Sequence, residues 1–187
     1  MNTQGIKTYN ASLDKTSLIV TSGIGLLFSA LLYFNLTKLP EAAGNPEIIM
    51  TLILSSLLML VIFAGSYLYH VTAYQLTATD LIILRPLVDK SIPLSQLIGV
   101  EVPSKKQMSY TMRIFGNGGV FGYFGKFRND HFGKMTWFVT QRKNYLALRL
   151  ANQQILIISP DDLQLAQDLL KCIKTDLPSS SSPSSLQ

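Results

Sequence analysis

The chain has 187 residues, of which 48% are apolar and only 14% charged, against roughly a quarter charged in an ordinary soluble domain. With a mean hydropathy of +0.27, this composition excludes a disordered or wholly water-exposed chain and points to part of it lying in lipid. The formal charge of +5 suits a membrane surface or nucleic acid without choosing between them, and a single cysteine, Cys172, excludes an intramolecular disulfide framework.

Residues 1–15 read as a short tail. Thr16–Thr37 and Ile48–Tyr69 then form two runs of 22 residues without a charge. About 20 residues of helix cross a hydrocarbon core of about 30 Å. Backbone in lipid must bond within its own segment, so both runs are expected to be transmembrane helices, over 16–37 and 48–70. A buried helix of a soluble core would show a polar face, and neither run has a charged one. A signal peptide would have a shorter apolar run and a small-residue cleavage site. Tyr33, Phe34, Tyr67 and Tyr69 suit the interfacial belts. Gly23, Gly25, Ser22 and Ser29 on the first run, with Ser55, Ser56, Gly65 and Ser66 on the second, allow close helix contact. The connection Lys38–Glu47 carries two prolines and one glycine, so the pair reads as a helical hairpin with an external loop. Positive charge collects in the tail and after the second run, which places both termini on the cytoplasmic side of the inner membrane.

From Val71 the texture becomes short apolar runs of period two. Strands are expected at Val71–Thr77, Leu81–Arg85, Ser91–Pro93, Leu97–Pro103, Ser109–Phe115, Thr136–Thr140, Tyr145–Leu150 and Gln154–Ile158. Ile98, Val100 and Val102 should share one face, as should Leu146, Leu148 and Leu150. Such strands suggest an antiparallel sandwich or barrel. Ser159-Pro160-Asp161-Asp162 reads as a helix start, with Ser159 as N-cap and Pro160 at the first helical position. Leu163, Ala166, Leu169, Leu170 and Ile173 give this C-terminal helix an apolar stripe. The Ser/Pro-rich Asp176–Gln187 is expected to be a disordered tail.

An all-β run closed by one helix, behind two apolar spans, resembles the membrane-anchored bacterial pleckstrin-homology-like (PH-like) domains. The likeness rests on YQLTATDLIILRPL (Tyr74–Leu87), IPLSQLIGVE (Ile92–Glu101), FGNGGVFGYFGKFRN (Phe115–Asn129), TQRKN (Thr140–Asn144) and ILIISPDD (Ile155–Asp162). It covers roughly Val71 to Lys174, so residues 71–175 are read as the domain. The resemblance implies a bent antiparallel sheet or barrel of about seven strands capped by a C-terminal helix. It implies no enzyme activity and no cofactor. PH domains that grip phosphoinositides use a basic motif at the first hairpin. Here that turn is Thr77-Ala78-Thr79-Asp80, which puts such binding in doubt.

Chemistry is sparse. Asp161 and Asp162 are explained by helix capping. Cys172 has no histidine near it in sequence, and His70 and His131 are isolated, so no catalytic or metal site is expected. The spans hold no ionisable path. Nucleic acid is a poor fit, because the charge is spread and no helix-turn-helix or RNA-binding aromatic motif is present. The domain carries 13 basic against 7 acidic residues, which suits an anionic leaflet or a solvated surface. The Gly-rich segment Gly116–Gly133 has two readings. Its aromatics fill the core of a long hairpin, or they touch the membrane or a partner. In the second case the contact residues are Phe121, Tyr123, Phe124, Lys126, Phe127, Arg128 and Lys134, joined by Arg142 and Lys143. The sequence thus points to a non-enzymatic binding module for a protein partner or anionic lipid head groups, with self-association into a membrane scaffold as the alternative.

Overall fold

The computed structural model describes residues 6–176, and its first regular element is a strand within the tail. Strand β1 (Lys7–Asn10) lies antiparallel on β2 (Ala73–Leu76), with Lys7 opposite Leu76 and Asn10 opposite Ala73. Between these paired strands the chain runs out through helix α1 (Lys15–Lys38) and back through α2 (Pro46–Leu68). The β-domain is therefore discontinuous in sequence, with the helical hairpin inserted after its first strand. No alternating apolar pattern marks Lys7–Asn10, because one residue, Tyr9, supplies its buried face.

Both helices match the expected spans within a few residues. Each is long and apolar enough to cross a membrane, and almost none of either is buried within the protein. Leu26, for example, is 74% exposed. A soluble core helix would bury that surface, and apolar patches of this extent are rare on soluble monomers. Asp14 caps α1 by accepting from the Ser17 amide, and Asn45 caps α2 above Pro46. Between the helices, Phe63 rests on Gly25, and the Asn35 amide donates to the Ser55 and Ser56 hydroxyls at 3.0 Å. Small residues thus bring the backbones together, and the polar side chains bond across the gap.

After α2 come β3 (Asp80–Leu84) and β4 (Lys90–Pro93), which complete a four-stranded sheet in the order β1-β2-β3-β4. The second sheet has six strands. They are β5 (Leu97–Glu101), β6 (Met112–Gly119), β7 (Gly122–Asn129), β8 (Gly133–Val139), β9 (Leu146–Leu150) and β10 (Ile155–Ile158), in the order β5-β9-β10-β8-β7-β6. All pairings are antiparallel except β10 with β8, which is parallel. That pair departs from the purely antiparallel expectation, because β9 comes between them in sequence but lies on the outer side of β10. Helix α3 (Gln164–Asp176) packs on β5 and closes the core between the two sheets. Leu146, Leu148 and Leu150 share that core, as their spacing predicts. Asp176 is the last residue of α3, and the remainder of the expected disordered tail lies outside the described residues.

Three local expectations need correction. Ile98, Val100 and Val102 do not share a buried face. A bulge at Ile98 shifts the register on β9 between Leu97 and Gly99, so Leu97 and Val100 turn inward while Ile98 and Val102 are exposed. Ser159 does not cap the last helix. Its hydroxyl accepts from the Thr140 amide at 2.9 Å and its own amide donates to the Tyr74 hydroxyl, so it is a buried junction between elements. The helix begins later, where the Asp162 carboxylate accepts from the Gln164 amide at 2.8 Å. The buried stripe then includes Leu165, Ala166 and Leu169, while Leu170 faces out.

β1 is fastened at both ends. Asp161 accepts from the Ser12 amide and hydroxyl, and its own amide donates to the Asn10 carbonyl. On α3, the buried Asp168 carboxylate accepts from Lys7 Nζ at 2.8 Å and from the Tyr9 hydroxyl at 2.7 Å. Those donors lower the Asp168 pKa from 3.8 to about 2. A carboxyl lowered on folding stabilises the fold above its unfolded pKa, and that contribution fades as pH falls toward the folded value. We therefore expect Asp168→Asn to destabilise the domain by about 1 kcal/mol at pH 7, discounted for the exposed lysine end. The gap between wild type and variant should narrow between about pH 4 and pH 2. Thermal melts of the full chain across that range check both statements, and a gap that widens on acidification would contradict them.

Candidate functional site

The second sheet has a separate, aromatic-rich cluster on the face turned away from the main core. Phe127 stacks on Trp137 at 4.3 Å between ring centres, and Trp137 meets Tyr145 at 5.7 Å. The segment after β5 folds over part of this face. Met108 is buried there, and Asn129 on β7 donates to the Gln107 carbonyl and the Thr111 hydroxyl. The cover is incomplete. Between the segment, the hairpin and the bend after β8 lies a cleft of about 450 Å³, walled by Met108, Tyr110, Thr111, Arg113, Tyr123, Phe127, Trp137, Arg142 and Tyr145. That volume falls in the usual range for small-molecule sites.

The glycines of the segment shape this cleft. Gly116 and Gly125 face each other across the hairpin with φ of +112° and +126°, and a Cβ on either would lie within 2.3 Å of a carbonyl oxygen opposite. Only glycine lets the two strands approach so closely. At Gly118 the space is taken by a side chain, because a Cβ there would come within 2.6 Å of Arg113 Nη1. The Arg113 guanidinium therefore lies over Gly118, on the cleft wall.

The polar groups of the cleft are unevenly satisfied. The Arg142 guanidinium stands 4.6 Å from the Tyr123 ring centre, a cation–π contact. The Tyr123 hydroxyl faces the Asp14 carboxylate at 3.4 Å, and Asp14 also accepts from the Arg142 amide at 3.0 Å. Burial raises the Tyr123 pKa and pushes that of Tyr145 up to about 12, so both stay neutral donors. Neither Arg113 nor Arg142 forms an ion pair among the described residues. Trp137 Nε1 is buried without a hydrogen-bond partner among the described residues, an arrangement rare in folded proteins.

The hairpin tip is anchored on the helices. The Gly119 carbonyl accepts from the Ser17 hydroxyl at 2.7 Å, and the Phe121 amide donates to the Thr21 hydroxyl at 2.8 Å. The Phe121 ring sits against Phe63, Tyr67 and His70 of the α2 end. The β3–β4 connection adds a second tie, since the Leu87 amide donates to the Leu68 carbonyl and Arg85 lies over the Tyr69 and Phe138 rings. The cleft thus opens beside the foot of the helical hairpin.

The structure divides the residues singled out from sequence. Tyr123, at 1% exposure, and Phe127 are core residues, so they cannot serve as a membrane-contacting row. Alternation on β7 sends them to the cleft face and sends Phe124, Lys126 and Arg128 to the other. Arg128 pairs with Lys134, and Lys126 bonds Thr136. At about 3.3 Å per residue, Lys126 and Arg128 lie about 17 and 23 Å along the strand from the anchored Phe121. Lys143 is exposed in the bend after β8. Of these residues, Phe121 packs on the helices, and Arg142 is the basic one that lines the cleft. Arg113, Trp137 and Tyr145 were not marked by sequence alone, because they come from β6, β8 and the residue before β9 and meet only on the assembled sheet. The Thr77–Asp80 turn is not basic, and its Asp80 carboxylate accepts from Thr79 and Ser91. Among the described residues no three His, Cys, Asp or Glu gather as a metal site.

Residues 72–172 match the family model of the bacterial PH domain, and the chain belongs to that family. The match begins just before β2 and so leaves out β1 and the helical hairpin. No curated protein and no solved structure matches the chain. PH domains are generally non-catalytic modules that bind proteins or lipid head groups.

If the Phe121 contact holds the hairpin to the helices, Phe121→Ala should lower local protection by about 1–2 kcal/mol without unfolding the sheet. Hydrogen exchange at the amides of residues 119–122 in detergent should quicken, while β9 and β10 stay protected. Unchanged exchange at the tip would show that the ring carries no part of the docking.

Proposed function

We propose that the protein is a membrane-anchored binding module without catalytic activity. The hairpin α1–α2 spans the inner membrane, with the connecting loop outside and both termini in the cytoplasm. The domain is held against the inner leaflet, where it captures a lipid head group or a membrane partner. The observation that carries this reading is the pairing of β1 with β2 across the hairpin. It requires both ends of the hairpin to emerge on one side, in agreement with the excess of positive charge there. Anchoring raises the effective concentration of any ligand confined to the same leaflet, so weak contacts suffice. The test is topological. In a Cys172→Ser background, Glu41→Cys in the loop should react in intact cells with a membrane-impermeant maleimide, whereas Lys105→Cys should react only after lysis. Labelling of both in intact cells, or extraction of the chain by alkaline carbonate, would refute the reading.

A second reading, self-association into a scaffold, draws on the edge strand β6. Met112, Ile114 and Phe115 are exposed there, Phe115 at 77%, beside unpaired backbone. Such an edge is open to strand addition. If copies join through it, the detergent-solubilised chain should exceed monomer mass by light scattering, and Met112→Lys with Phe115→Lys should restore the monomer. A monomeric wild-type chain excludes this reading.

A further inference from the structure

The cleft has the chemistry of a receptor for one kind of group, and this inference rests on the binding-module reading by naming its ligand. We infer that the cleft binds a phosphate ester, with the phosphate between Arg113 and Arg142 and the organic part against Trp137 and Tyr145.

Two observations meet there. First, two guanidinium groups line one cavity, and neither is paired with a carboxylate among the described residues. Arginine presents a planar fork of donors that matches phosphate oxygens, and both of these arginines are exposed at the cleft mouth. Second, the volume of about 450 Å³ is far larger than a bare anion needs. Its aromatic walls suit the carbon skeleton to which a phosphate is attached. Asp14 adds one negative charge at the rim, against two guanidiniums, and it forms no ion pair with either of them. Its oxygens are committed to the Ser17 amide, the Arg142 amide and the Tyr123 hydroxyl.

The position suggests the source. Tyr123 on one wall meets Asp14, the cap of α1, and Gly119 next to the cleft lies on Val20 of that helix. A lipid phosphate at the leaflet surface is the nearest supply, while a soluble phosphate ester has the same chemistry.

The chain supplies its own reporter, because Trp137 is its one tryptophan and lines the cleft. Full-length protein in phosphatidylcholine nanodiscs would be titrated with glycerol 3-phosphate, and separately reconstituted in nanodiscs containing phosphatidylglycerol. We expect the Trp137 emission to change. A response to the soluble ester alone, to the lipid alone or to both supports the site and identifies the source. Two variants weaken it differently. Arg113→Gln removes one fork, and Gly118→Ala moves the same guanidinium off its resting place without a forbidden backbone angle. Each should reduce affinity by about ten- to hundredfold. Lys90→Gln, an exposed lysine on the other sheet, should leave it unchanged. The inference is overturned if neither probe alters the emission, if both cleft variants bind as wild type, or if Lys90→Gln weakens binding as much as they do. A chain that pellets with membranes and resists carbonate, yet gives no response, defeats this inference and leaves the anchored module standing.

Discussion

The antiparallel pairing of β1 with β2 governs the rest of the molecule, since a strand added across an inserted hairpin ties three things together. It joins the N-terminus to the domain, brings both helix feet to one place and buries Tyr9 in the common core. Its hydrogen bonds are ordinary, but the side-chain ties to α3 and to the Asp161 segment secure it from either end. A single-strand anchor through α2 alone would leave the domain free to swivel about one connection. Two covalent crossings, with the Phe121 and Leu87 contacts beside them, restrict that freedom.

This restriction gives the cleft its meaning. A binding site on a loosely tethered domain faces every direction, and its encounters are averaged over the tether. Here Asp14 belongs at once to the helix cap and to the cleft rim, so the distance from the first helical turn to the site is held by hydrogen bonds. The aromatic cluster behind the cleft serves the same end by locking Trp137 between Phe127 and Tyr145.

The fold was largely readable from sequence. The helices declared themselves by twenty-odd residues without charge, and β9 by strict alternation over Leu146, Leu148 and Leu150. What escaped was long-range. Lys7–Asn10 looks like a tail because an edge strand of four residues buries little, and its partner lies beyond two helices. Ile98 was assigned inward because a bulge is invisible to a period-two count. Ser159 carries the side chain of a helix cap, but tertiary hydrogen bonds claimed its hydroxyl first. The site was legible only in part. The glycine–aromatic segment announced an unusual hairpin, and the division of its two faces follows from simple alternation. That Arg113, Arg142 and Trp137 line one cleft does not, because those residues come from different strands and a bend.

The split domain also sets an order of assembly. β1 has no partner until both apolar helices and β2 have been made, so the four-stranded sheet closes only after the whole helical pair has been synthesised. A segment starting at residue 71 would lack β1 and present the bare edge of β2, with its row of unpaired amides and carbonyls. Capture of the first strand thereby marks the point at which both helices and their flanking strand have been made.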